Sequence, residues 1–347
     1  MMKESYFKRV HAQTATRFWI NNVTREQARL AIDAGAVGCT QNPAYSWKMM
    51  QSPEEADYVG TLLNPILQRE PDDTKALVAL QRTLVERVAE QFLPLYEKSG
   101  GNEGLVSIQG DPFHEDYDTI VRCARYNCEN APNMIAKIPV TEEGLRAIET
   151  VLREEISVNA TEVLSVRQAL DVCRVYRRAT EGMGRKPKLY FSHITGILDQ
   201  YLTEQAARQS IDVCPDALWQ AGIAAAKKAY WMAREICPEI GFIGGGARGL
   251  QHFTEMVGAD ACITINWKGT ADRLLEEDPP VVQRFFMPTP ASVVEELRAK
   301  LPDFRKGYDA DALQAADYES FGPVVLFRSG FEDAWKNALD FIAARRI

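Results

Sequence analysis

Eight short β-rich runs recur along this chain, and each is followed by a segment of helical character. They are "TRFWI" (Thr16 to Ile20), "AVGCT" (Ala36 to Thr40), "GLVSIQG", "NMIAKI", "SVNATEV", "KLYFSH", "IGFIGG" and "ADACITI". Strands that alternate with helices make βαβ units, and βαβ units make a parallel sheet. Eight such units in roughly 250 residues match a (β/α)₈ barrel, the TIM-barrel architecture. The rival is a doubly wound open sheet, which carries a glycine-rich dinucleotide turn after an early strand. Here the glycine-rich stretch "IGGGARG" comes late and does not read GxGxxG.

Between the runs lie amphipathic helices such as "REQARLAIDAG" and a long one from about 74 to 98, preceded by a polar stretch. Another helical region runs from about 197 to 235, with a break near Cys214 and Pro215. "GLQHFTEMVG" also reads as a helix. No low-complexity linker interrupts the 347 residues. The expectation is one domain over 1–347: a barrel core at about 16–270, an N-terminal arm, and helices at about 288–347 that pack on the barrel.

Composition narrows the function. Hydrophobic residues make up 46% and the net charge is −8, which argues against nucleic acid as a main partner, because phosphate binding needs a basic face. No apolar run reaches the ~20 residues of a membrane helix, and no export signal is visible at the N-terminus. Seven cysteines without a CxxC pair suit a reducing, cytoplasmic setting. Four histidines lack metal-ligand spacing, so neither metal nor cofactor is expected. The partners expected are a small molecule and, beyond it, a second copy of the chain in a homo-oligomer.

In (β/α)₈ barrels the chemistry sits at the C-terminal ends of the strands. Those ends carry Asn21, Thr40 with Asn42, Gln109 with Asp111, Lys137 with Thr141, Asn159 with Thr161, Ser192 with His193, then Arg248 and Asn266. Lys137 interrupts an apolar run. Burial lowers a lysine's pKa, and a neutral amine attacks a ketone to form a Schiff base. The protonated iminium then draws electrons from the neighbouring carbon–carbon bond. The plainer reading is a lysine whose stem is buried and whose head snorkels to water. Strand alternation turns Glu162 away from the barrel interior if Asn159 and Thr161 face in. His193 reads as a replacement acid/base or as a rim residue.

At these residues the chain resembles the transaldolase family, class I aldolases that move a dihydroxyacetone unit between sugar phosphates. The family's K-[IV/L]-P-x-T strand end, N-x-T strand and downstream Q-A stand here as "AKIPVTEEGLRAIETVLREEISVNATEVLSVRQAL". The T-T-N-P motif stands as "TQNPA", and the glycine-rich motif with its arginine as "GGGARG". The resemblance implies a Schiff base at Lys137 and a ketose or ketose phosphate as substrate. It also implies catalytic positions at Asn21, Gln109 and Thr161, and substrate contacts from Thr40, Asn42, Asn159, Ser192, His193 and Arg248. The chain departs from the pattern in three places. Asn21 stands where the family has its catalytic aspartate. Gln109 replaces a glutamate that helps hold the catalytic water. "HITGILDQ" lacks the arginine that binds phosphate after the sixth strand. A transferase, a simple aldolase on a differently charged sugar, and a catalytically weak sugar-phosphate-binding relative all remain open at this point.

Overall fold

A computed structural model describes residues 4–346. The strands are β1 (Arg17–Asn21), β2 (Ala36–Thr40), β3 (Leu105–Gln109), β4 (Met134–Pro139), β5 (Val158–Val163), β6 (Leu189–His193), β7 (Gly241–Gly244) and β8 (Cys262–Asn266). They close into a barrel in sequence order with every pairing parallel. The (β/α)₈ expectation therefore holds.

Helix α1 (Tyr6–Gln13) precedes the barrel, and α2 (Arg25–Ala34) joins β1 to β2. Three helices, α3 (Tyr45–Gln51), α4 (Ala56–Arg69) and α5 (Asp73–Lys98), lie between β2 and β3. Then α6 (Tyr117–Cys128), α7 (Glu142–Arg153) and α8 (Val166–Ala179) follow β3, β4 and β5. A pair, α9 (Thr195–Arg208) and α10 (Pro215–Ile236), separates β6 from β7, and α11 (Gln251–Thr254) separates β7 from β8. After β8 come α12 (Asp272–Glu277), α13 (Ala291–Lys300), α14 (Pro302–Tyr308) and α15 (Gly322–Arg345).

Three elements differ from the sequence expectation. The polar stretch before α5 contains α3 and α4. The helix expected over "GLQHFTEMVG" shrinks to four residues. The N-terminal arm is itself a helix, capped by the Ser5 hydroxyl, which accepts from the Lys8 N–H. Its Phe7 stacks on Phe18 of β1, ring centroids 3.9 Å apart.

The barrel interior divides by height. The lower half is plugged by Trp19, Leu105, Ile135, Tyr190 and Ile243. Outward-facing strand residues such as Phe18, Ala136, Val158 and Phe191 join the larger core against the helices. Strands buried on both faces explain the continuous apolar runs of the sequence. The interior turns polar only near the strand C-termini, so the hydrophilic side chains gather at one end of the barrel, some lining its mouth and some buried beneath it.

Candidate active site

Local structure fixes the end of β4 first. The Thr141 hydroxyl accepts from the Gly144 N–H at 2.9 Å and caps α7. A Cβ on Gly144 would stand 1.9 Å from the Pro139 carbonyl oxygen. Only glycine lets the helix start this close to the strand, which is why the segment reads K-I-P-V-T-E-E-G. Lys137 lies in register with Gln109 on one side and Asn159 on the other.

A cavity of about 610 Å³ opens above these strands. Lys137 is on its wall, with Asn21, Thr40, Asn42, Thr161 and Ser192. Arg248 borders it from the loop after β7. Most of the expected site residues are thus brought together. Lys137 is 7% exposed, and its Nζ lies 5.8 Å from the centre of the Phe331 ring. Burial lowers its pKa from the ordinary lysine range to about 8, while the nearby Glu162 carboxylate pulls it back up. At pH 7 a pKa near 8 leaves about one amine in ten neutral, against about one in three thousand for an unperturbed lysine.

Around Lys137 the hydroxyl and amide groups form two networks. In the first, Thr40 Oγ1 donates to Asn21 Oδ1 at 3.0 Å and lies 2.8 Å from Thr264 Oγ1. Asn21 Nδ2 donates to Asn266 Oδ1 at 3.0 Å. In the second, Ser192 Oγ donates to Asn159 Oδ1 at 2.7 Å, and Asn159 Nδ2 donates to Ser107 Oγ at 3.2 Å. Asn42 uses its carbonyl oxygen to accept from Asn22 Nδ2 and the Ala44 N–H. That orientation leaves its amide N–H₂ as the group free to meet a ligand.

Three expected residues stand elsewhere. Asn159 is fully buried and does not line the cavity; it supports Ser192 from below. Gln109 is likewise buried and off the cavity wall. His193 points outward, as alternation after the inward Ser192 requires. Its ring lies parallel to Phe242 at 6.5 Å, and its Nδ1 is 3.1 Å from Thr195 Oγ1. Burial drops its pKa to about 3, so it stays neutral and does not serve the mouth as an acid/base. Asp111 is occupied too: its carboxylate accepts from the Phe113 N–H and pairs with His114.

Glu162 corrects the alternation argument. The β5–β6 register shifts between Ala160 and Val163, and Glu162 adopts φ +61°. This left-handed residue swings the carboxylate back towards β3, where Oε1 accepts from Gln109 Nε2 at 2.9 Å. Gln168 secures the distortion. Its Nε2 donates to the Val140 and Glu162 carbonyls, and its Oε1 accepts from the Leu164 N–H. Arg328 of α15 reaches the same place, 3.3 Å from Glu115 and 3.9 Å from Glu162.

Cations missed in the sequence also border the cavity: Lys48, in the last turn of α3, and Lys268, just after β8. Both follow closely on polar strand ends, and that proximity was the available signal. The Arg248 loop is built tightly. A Cβ on Gly196 would stand 2.3 Å from the Gly246 carbonyl. His252 Nδ1 accepts from the Arg248 and Gly249 N–H groups, and its Nε2 pairs with Asp199 at 2.8 Å. Arg248 Nε donates to Gln200 Oε1 at 2.7 Å. Finally, α15 crosses the mouth and contributes Leu326, Phe327 and Phe331 to the cavity wall.

Comparison with known proteins agrees with this layout. Residues 18–308 match the family model described as Transaldolase/Fructose-6-phosphate aldolase. A transaldolase of Thiobacillus denitrificans is 27% identical over 338 residues, covering 86% of this chain and 90% of that protein. One of Mycobacterium tuberculosis is 28% identical over 237 residues, covering 63% of this chain and 62% of its own. With eight parallel strands, a buried lysine at the mouth and a family match over most of its length, the chain belongs to the transaldolase/fructose-6-phosphate aldolase family as a divergent, transaldolase-like enzyme.

Proposed function

We propose that this enzyme forms an iminium between Lys137 and a ketose or ketose phosphate, and that it transfers or releases a three-carbon dihydroxyacetone unit. The observation that carries the reading is Lys137 itself, buried at the mouth with a pKa lowered to about 8 beside a cavity rich in hydroxyl and amide groups. The neutral amine adds to the ketone carbon, and a proton passes to the former carbonyl oxygen. Loss of that oxygen as water leaves the iminium. When the bond between the α carbon and the carbinol carbon breaks, its electron pair forms the enamine double bond and the iminium π pair returns to nitrogen; the carbinol hydroxyl passes its proton to the water released in the iminium step, and the fragment leaves as an aldehyde. Thr40, Asn42 and Ser192 hold the donor hydroxyls, and Arg248 meets the far, anionic end.

A second reading, a lyase acting on a differently charged sugar, is favoured by one feature. The wall supplied by the β6–α9 segment is Ile194, Ile197 and Gln200 rather than a guanidinium. Product analysis with and without an aldehyde acceptor separates transfer from simple cleavage.

The test is borohydride trapping with a panel of ketoses, read by intact mass. A stable adduct should map to Lys137. Lys137→Met should abolish it and lower turnover by orders of magnitude, as loss of a covalent catalyst does. Turnover within a few fold of the parent would overturn the reading.

A further inference from the structure

A strained glutamate lies close enough to the reactive lysine to raise its pKa, and nothing in the family pattern calls for it. Glu162 is a non-glycine residue at φ +61°, fully buried, in a strand whose register breaks to accommodate it. Such conformations are unfavourable and persist where the surroundings enforce them. Here Gln168 enforces it from two sides. The result is a carboxylate that takes the N–H₂ group of Gln109.

That hydrogen bond decides what Gln109 presents. A glutamine amide can offer either a donor or an acceptor, but its Nε2 is committed to Glu162. Its Oε1 is buried and, among the described residues, has no hydrogen-bond partner, and the same holds for Thr161 Oγ1. Both belong to strands next to β4, beside Lys137. The charged groups around Glu162 are Lys137 on β4, Glu115 after β3, and Arg328 and Glu332 on α15. Burial raises the Glu162 pKa, Arg328, Gln109 and Lys137 pull it back down, and the carboxylate in turn raises the pKa of Lys137.

We propose that Glu162 is the positioning carboxylate of the Schiff-base centre, transposed from β3 to β5. Through Gln109 it holds an acceptor pair, Gln109 Oε1 and Thr161 Oγ1, that orients the water leaving as the iminium forms and returning as it is hydrolysed. Its negative charge also offsets the cationic iminium. The overall step consumes one amine, one ketone and one proton, and yields one iminium and one water. No proton has to pass through Glu162. The proposal rests on the Schiff-base reading above.

The test uses Glu162→Gln in the full chain. A neutral amide of nearly the same shape frees the Gln109 amide to turn over and removes the charge. The Lys137 adduct should still be trapped, but kcat should fall by about 10- to 100-fold with KM within about threefold, the pattern of a lost transition-state interaction. The acid limb of the rate profile, set by Lys137, should move to lower pH, because the group that raises its pKa is gone. Returning the carboxylate to β3 in a Gln109→Glu/Glu162→Gln double variant should recover much of the rate. An adduct on the parent, with parental kcat and an unmoved acid limb in Glu162→Gln, overturns the transposition and leaves the Schiff base standing. So does a double variant no faster than the single one. Absence of an adduct on the parent overturns both readings.

Discussion

Asn21 cannot take the proton that a carboxylate at the end of β1 would accept. Its two sides are already engaged, Oδ1 by the Thr40 hydroxyl and Nδ2 by Asn266. An aspartate there keeps the first bond, and a turn of the Asn266 amide would restore the second by donating. The substitution is therefore compatible with the site. Positioned acid–base catalysis is worth about 10²–10⁴-fold. Asn21→Asp is expected to raise kcat/KM on ordinary transaldolase substrates by at least about tenfold. A fall would show that the pocket is built around the amide. That Lys137, Thr40, Asn42, Thr161, Ser192 and Arg248 border one cavity was legible in the sequence, because strand ends in this fold converge whatever the loops do. His193 and Glu162 were not. One obeys alternation and so faces outward, while the other breaks it through a backbone conformation that no residue pattern announces.

At the scale of elements, the loop after β7 depends on a buried pair. Asp199 on α9 accepts from the Gly222 N–H and pairs with His252, whose other nitrogen holds the Arg248 and Gly249 N–H groups. Arg248 thus owes its place to α9, α10 and α11 together. Arg248→Ala should lower kcat/KM for a phosphorylated ketose by about ten- to a hundredfold and for its dephosphorylated counterpart by little, because a charge-assisted hydrogen bond contributes roughly 1.5–3 kcal/mol. Asp199→Asn should reproduce that selectivity change in weaker form by loosening the loop. Equal losses on both substrates would mean that Arg248 serves the fold rather than the anion. The sequence located the strand–helix units by period alone. It did not reveal α3 and α4 within a polar stretch, nor that α15 lies across the mouth. A helix's apolar face says that it packs, but its partner is set by contacts distant in sequence.

For the whole molecule, the reactive lysine is a stability cost. Lys137 has a pKa of about 8 when folded, against about 10.4 in an unfolded chain. Between those values the unfolded state binds more protons, so this group makes stability rise with pH from about 8 to about 10.4. Below pH 8 the folded protein carries a buried ammonium at a cost of about 3 kcal/mol, since each tenfold loss of proton affinity on folding is worth about 1.36 kcal/mol. That figure is what remains after the Glu162 carboxylate has offset part of the cost of burial. Lys137→Met removes the charge and keeps an apolar stem of similar length. It should therefore be more stable than the parent at pH 7 by roughly 1–3 kcal/mol, with the gap closing towards pH 10.5. Urea unfolding of both proteins at pH 7, 8.5 and 10 checks this. Converging midpoints are expected, whereas a constant difference would mean that packing, not protonation, separates them. The same substitution that abolishes turnover would then make a firmer barrel, as follows if the ammonium is kept at the mouth for chemistry and not for folding.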